Sequence, residues 1–285
     1  MKWRGLRVLE LGQRPGASPR TGHTETLVII PGIDDSVHDY RWFPRLWRWF
    51  FAPLARGRRV VLLGRRRGLT DGTSIVSLAD EYADVLDRQL GPADVLGISM
   101  GGMIAQALAA RRPTLVRRLA LVVTAHALAP TGHDSGNHLS ALADAGRWRA
   151  FLRHANQLCF DGRTHRVAAP LMWALGSPLL GRRPAAARDF AISARACAQH
   201  DAAAWLHHIV APTLVWSAAD DQLFPAPATQ ALAAALPHAW HMSAPGAHAA
   251  FMQQRSGFQA AITGFLEAQL PRARAARPRH IQEAA

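Results

Sequence analysis

Short apolar runs alternate with amphipathic stretches along most of this chain. The runs at 26–30, 59–63, 93–98, 119–124 and 213–217 are mainly apolar rather than alternating, and 240–243 reads with them as a strand of the sheet. That is the pattern of strands covered on both faces, as in a mainly parallel sheet. Residues 6–11 read as an edge strand. Between the runs, 42–51, 77–90, 100–111 and 249–270 carry helical spacing. Strand and helix in turn predict an α/β protein, a mostly parallel central sheet flanked by helices. No segment of twenty to fifty residues repeats, which excludes solenoids and propellers.

The interval between Val123 and Pro212 breaks the alternation. It is rich in Ala, Arg and His and punctuated by Gly162, Pro170, Gly176, Pro178, Gly181 and Pro184. A structureless loop of that length is rare, so 126–209 is expected to be a helical cap inserted in a core formed by 1–125 and 210–270. From Pro271 the composition turns basic and proline-rich, and 271–285 is expected to be a disordered tail.

Composition narrows the classes without choosing among them. Of 285 residues 49% are hydrophobic and 19% charged, ordinary globular usage that excludes collagen-like, coiled-coil and wholly disordered chains. The net charge of +13 raises the question of nucleic acid, but Lys2 is the lone lysine and no recognition motif accompanies the arginines. No nucleic-acid partner is expected. Cys159 and Cys197 are too few for a disulfide framework, though they could form one bridge. The first residues open no apolar signal region, and the longest apolar stretch, 119–130, is interrupted by Thr124 and His126. It is also too short for a bilayer, so the expectation is a cytoplasmic protein without an integral membrane segment, as monomer or homodimer.

The most informative stretch runs Ala93-Asp94-Val95-Leu96-Gly97-Ile98-Ser99-Met100-Gly101-Gly102-Met103. An apolar strand enters Gly-x-Ser-x-Gly and an apolar helix leaves it, the context in which this motif marks a nucleophile. The serine must stand at the tip of a sharp turn with positive φ, so that its hydroxyl is free of both elements. Residues two before and two after then pass close to other backbone, which Gly97 and Gly101 permit. The helix beginning beneath the serine favours developing negative charge.

At this motif the sequence resembles the α/β-hydrolase superfamily, over about residues 6–125 and 210–270. The resemblance implies a serine nucleophile at Ser99 and an oxyanion loop after an early strand. Pro31-Gly32-Ile33-Asp34-Asp35 stands there, with Pro31 where the family usually has histidine. The backbone N–H groups of Ile33 and Met100 would be the oxyanion donors. The acid is expected after a late strand, where Ser217-Ala218-Ala219-Asp220-Asp221-Gln222-Leu223-Phe224-Pro225 fits the family register at Asp221, with Asp220 one residue away as the alternative. No carboxylate follows the strand ending near Thr124, the family's other location for the acid. The base is expected before the final helix, where Gly246-Ala247-His248 matches; His238 precedes the last strand and His241 lies within it. The order Ser99, Asp221, His248 is that of the fold. A serine here also sets the chain apart from the dehalogenases and epoxide hydrolases of the superfamily, which use aspartate.

These residues imply hydrolysis of small or medium carboxylic esters through an acyl-enzyme, with no cofactor and no metal. The same triad serves C–C bond hydrolases, lactonases, thioesterases, perhydrolases and acyltransferases, and a non-catalytic ligand-binding protein could share the fold. Trp148, Phe151, Phe160, Trp173 and Trp205 either line an acyl pocket or form the cap's own core. Arg65-Arg66-Arg67, at the C-terminal end of a sheet strand, either binds a substrate carboxylate or is a solvated loop. The aromatic and basic segment 41–51 is expected to pack Trp42, Phe43, Leu46, Trp47 and Phe50 on the sheet, the alternative being contact with a membrane.

Overall fold

The computed structural model describes residues 3, 5–11, 25–42, 44–160, 162 and 184–269. All seven expected strands form: β1 (Arg7–Glu10), β2 (Thr26–Ile30), β3 (Arg59–Gly64), β4 (Ala93–Ile98), β5 (Val116–Val122), β6 (Thr213–Ala218) and β7 (Ala239–Ala244). They lie in the order β1-β3-β2-β4-β5-β6-β7, with β1 antiparallel and every other pair parallel. The chain adds β3 on one side of β2 and then returns to place β4 on the other. The order therefore reverses between β2 and β4, where ligands bind in open α/β sheets.

The helices are α1 (Pro44–Phe51), α2 (Ile75–Val85), α3 (Met100–Arg111), α4 (Pro130–Asp144), α5 (Trp148–Cys159), α6 (Pro184–Ala198), α7 (Ala226–Ala235), α8 (Ala250–Gln253) and α9 (Arg255–Glu267). α2 starts two residues earlier than its spacing indicates because Ser74 and Ser77 close a capping box on each other's backbone N–H. The expected terminal helix is divided at Gln254 into α8 and α9. α7 was not expected. Alanine gives it helix propensity without an apolar stripe, and Pro225 and Pro227 read as a turn although a helix start tolerates them.

Two cores sandwich the sheet. One face packs Tyr82, Met103, Ile104, Leu108 and Leu232; the other packs Phe50, Phe51, Phe258 and Ile262. α1 turns Trp47, Phe50 and Phe51 inward and leaves Leu46 49% exposed, against the expected packing of that leucine. The side chains of Trp42 and Phe43 lie outside the described residues.

Between β5 and β6 the helices α4, α5 and α6 build a third core. It contains Leu139, Leu142, Trp148, Phe151, Leu152 and Phe190. Trp148 and Phe151 are thus interior residues of these helices, and Trp205 belongs to the core on one sheet face. Trp173 and the expected tail lie outside the described residues. Cys159 and Cys197 are both free. Among the described residues no helix is long and apolar enough to cross a membrane.

Candidate active site

β4 ends at Ile98, and Ser99 follows at φ 55°, ψ −122° as the first flanking residue of α3. Positive φ is costly for serine, so the surroundings must impose it. A Cβ at Gly97 would lie 2.4 Å from the Gly101 carbonyl oxygen, and one at Gly101 only 2.1 Å from that of Ile30. Both contacts are with backbone, which explains the two glycines on steric grounds alone. Ser99 N–H donates to the Val122 carbonyl at 2.9 Å, tying the turn to β5.

β6 delivers Asp221 and the loop after β7 delivers His248. His248 Nε2 lies 2.9 Å from Ser99 Oγ, and its Nδ1 lies 2.8 Å from Asp221 Oδ2. The other carboxylate oxygen, Oδ1, accepts the N–H groups of Leu223 at 2.9 Å and Phe224 at 3.2 Å. Asp221 is therefore held through Oδ1 by two backbone N–H groups, which leaves Oδ2 to the histidine. The Phe224 ring stacks on the imidazole with centroids 5.8 Å apart. All three side chains are nearly buried, which strengthens their mutual hydrogen bonds. Asp220 instead accepts the Gly246 N–H at 3.3 Å and braces the loop carrying His248. His241 bonds Ser217 Oγ at 2.9 Å, away from this cluster.

Ile33 follows β2, and Met100 opens α3, where helix N–H groups have no intrahelical acceptor. Gly32 lies against the nucleophile: a Cβ there would stand 3.4 Å from Ser99 Cβ. The sheet register sets Ile30 beside Gly97, so the loop after β2 and the serine turn leave the sheet as neighbours.

Arg65 behaves as neither sequence reading expects. Its side chain is 2% exposed, neither a solvated loop nor a free carboxylate binder. Its Nη1 donates to the Gly32 carbonyl at 3.0 Å, its Nη2 to Ser36 Oγ at 3.2 Å, and its backbone N–H to Asp35 Oδ2 at 2.7 Å. Arg7 pairs with the other Asp35 oxygen at 2.5 Å. Burial pushes the Asp35 carboxyl up, and Arg65 and Arg7 oppose that shift. Arg66 reaches the surface and pairs with Glu81 at 2.8 Å. Sequence reasoning missed this cluster. Its one signal was Arg7, a cation next to the buried-side leucines of an edge strand, with a carboxylate such as Asp35 in the loop after β2 as a candidate partner.

Burial, with the charges of Asp34 and Asp221, pushes the Cys159 thiol up to about 12, so it is no rival nucleophile. Among the described residues no group of three or more His, Cys, Asp or Glu is arranged to hold a metal ion.

Comparison with known proteins agrees with this architecture. The profile of the alpha/beta hydrolase family matches residues 27–259, and the chain belongs to that family. It is 26% identical over 264 residues to the Yersinia enterocolitica protein named "Putative carbamate hydrolase RutD", covering 85% of this chain and 87% of that one. The enol-lactonase of Burkholderia xenovorans LB400 superposes with a TM-score of 0.75 at 20% identity, over 92% of this chain and 96% of the other. MGS-M2, an alpha/beta hydrolase from a Medee basin deep-sea metagenome library, gives 0.79 at 20% identity, over 93% and 96%. The last two likenesses concern the fold.

Proposed function

We propose that this protein is a serine hydrolase that cleaves carboxylic esters of small or medium acyl chain through an acyl-enzyme. The reading is carried by the run of hydrogen bonds from Ser99 Oγ through His248 to Asp221, at 2.9 and 2.8 Å. His248 Nε2 takes the hydroxyl proton as Ser99 Oγ bonds to the carbonyl carbon. The oxyanion is received by the N–H groups of Ile33 and Met100, the largest electrostatic contribution in such sites. The carbon–oxygen bond to the leaving group breaks and the departing alkoxide takes the proton from His248. Water then attacks the acyl-enzyme, giving its proton to His248, which returns it to Ser99. Asp221 fixes the tautomer and stabilises the imidazolium without itself taking the proton.

In this reading α4–α6 cap the site and, with the rim loops, select the acyl group. The bond from Ala249 N–H to the Cys159 carbonyl, 2.8 Å, joins α5 to the His248 loop and supports that role. Hydrolysis of p-nitrophenyl esters of graded acyl length tests the proposal. Ser99→Ala should lower turnover by a factor of about 10³ to 10⁶. Near-wild-type turnover in that variant would sink it. The relative named as a carbamate hydrolase supports a second reading, cleavage of a carbamate by the same steps. A p-nitrophenyl carbamate turned over faster than every ester would favour it.

A further inference from the structure

We propose that Arg65 is the positioning residue of the oxyanion donor, its buried guanidinium turning the Gly32–Ile33 peptide so that the Ile33 N–H faces the reacting carbonyl. The proposal rests on the serine-nucleophile reading above. Arg65 Nη1 donates to the carbonyls of Gly32 at 3.0 Å and Pro31 at 3.4 Å, and Nη2 to that of Ile33 at 3.3 Å. One planar fork thus holds three successive carbonyls of the loop that follows β2. A trans peptide carries its C=O and N–H on opposite sides. With the Gly32 carbonyl drawn onto the cation, the Ile33 N–H is sent the other way, while Gly32 itself lies against Ser99.

The rest of the loop is held in the same manner. Arg7 Nη2 donates to the Asp35 carbonyl at 2.7 Å, Arg7 Nη1 to that of His38 at 3.1 Å, and Arg67 to those of Ser36 and His38. Arginine suits this task because its donors form a rigid fork, whereas lysine offers a single point charge. Asp35, fully buried between Arg65 and Arg7, supplies the countercharge that makes burying them tolerable. A cation on the carbonyl of a peptide also polarises it, so its N–H becomes a better donor to an oxyanion. Arg65 touches no reacting atom and acts through the peptide alone.

The test compares Arg65→Lys, Arg65→Met and Arg66→Ala with wild type. The readouts are melting temperature, the second-order rate of Ser99 labelling by a fluorophosphonate, kcat and KM on p-nitrophenyl esters, and affinity for a trifluoromethyl ketone. The Arg65 variants should label and turn over about 10²-fold more slowly, as when one oxyanion donor is lost. The ketone's affinity should fall in proportion while KM moves less than threefold, a split that mere loosening of the fold would not produce. Arg66→Ala should match wild type. A folded Arg65→Lys that labels at the wild-type rate would overturn the proposal, as would a loss carried by KM. If neither Arg65 variant folds, the guanidinium ¹⁵N–H signals of wild-type Arg65 decide: they should move when Ser99 is phosphonylated, and unchanged signals would refute the coupling. Wild-type protein that the fluorophosphonate fails to label would instead refute the serine-nucleophile reading.

Discussion

Around Ser99 the backbone of α3 is pressed against β4, the end of β2 and the Thr124 side chain, with no space for a methyl group at Gly97, Gly101 or Gly102. In α4 a Cβ at Gly136 would meet Ala194 Cβ at 3.7 Å, an ordinary contact. The interior residues differ in the same direction: most side chains under the sheet have no exposure, whereas those shared by α4, α5 and α6 keep 2 to 9%. The sheet region holds an unfavourable serine φ by leaving its neighbours nowhere to go. The inserted helices pack mainly on one another, with Ile192, Ala196 and Cys197 of α6 reaching the sheet core. Their own interior leaves more latitude for change, as expected where substrate preference would vary on a fixed chemical frame.

The sharpest way to break this comparison is Gly101→Ala. The new methyl carbon would stand 2.1 Å from the Ile30 oxygen and 2.6 Å from the Pro31 oxygen, so β2 and α3 must separate by about an ångström. Destabilisation of about 3 kcal/mol or more is expected, together with a loss of activity exceeding about 10²-fold from misplacement of Ser99 and the Ile33 loop. Urea titration and ester kinetics measure the two losses. A variant within about 0.5 kcal/mol of wild type would show that the turn is not tightly held.

The same substitution in α4 should have the opposite sign. Gly136→Ala meets no close atom and removes the entropic cost of a glycine inside a helix. A gain of about 0.5–1 kcal/mol is expected in urea titration, with kcat/KM unchanged. Loss of stability would mean that the α4–α6 contact is as tight as the nucleophile turn.

The two regions were also unequally legible from sequence. The five inner strands and the α3 boundaries could be read because a strand covered on both faces is mainly apolar and because Gly97-Ile98-Ser99-Met100-Gly101 demands one local geometry. The edge strands β1 and β7 carry polar residues, and β7 is largely exposed. Ser99 was legible in its own motif, and Asp221 and His248 through the resemblance, at positions after β6 and β7. Which of Asp220 and Asp221 reaches the imidazole could be seen only in the structure, where it is Asp221. Arg65 was misread because a run of three arginines after a strand resembles a solvated surface. What buries one of them is Asp35, thirty residues earlier, and no local pattern links the two. α7 escaped because alanine favours a helix without marking a buried face.

Two histidines give the comparison its finest test. His248 has a partner on each ring nitrogen, whereas His154 in α5 packs its ring 4.8 Å from that of His138 and its buried Nε2 has no hydrogen-bond partner. Burial and then the nearby His138 hold the His154 pKa below its usual 6.5. The unfolded chain therefore takes up this proton first as pH falls. Stability is lost from the unfolded value near 6.5 downward, and the loss stops below the folded value. Wild type should lose more thermal stability between pH 7.5 and 5.0 than His154→Phe, which keeps the ring contact and cannot titrate. Because His154 is only half-buried, the margin should be smaller than the gain at Gly136. Identical pH dependence in both proteins would mean that α4 and α5 impose no constraint on this imidazole, and that the looseness of the inserted helices extends to their charged states.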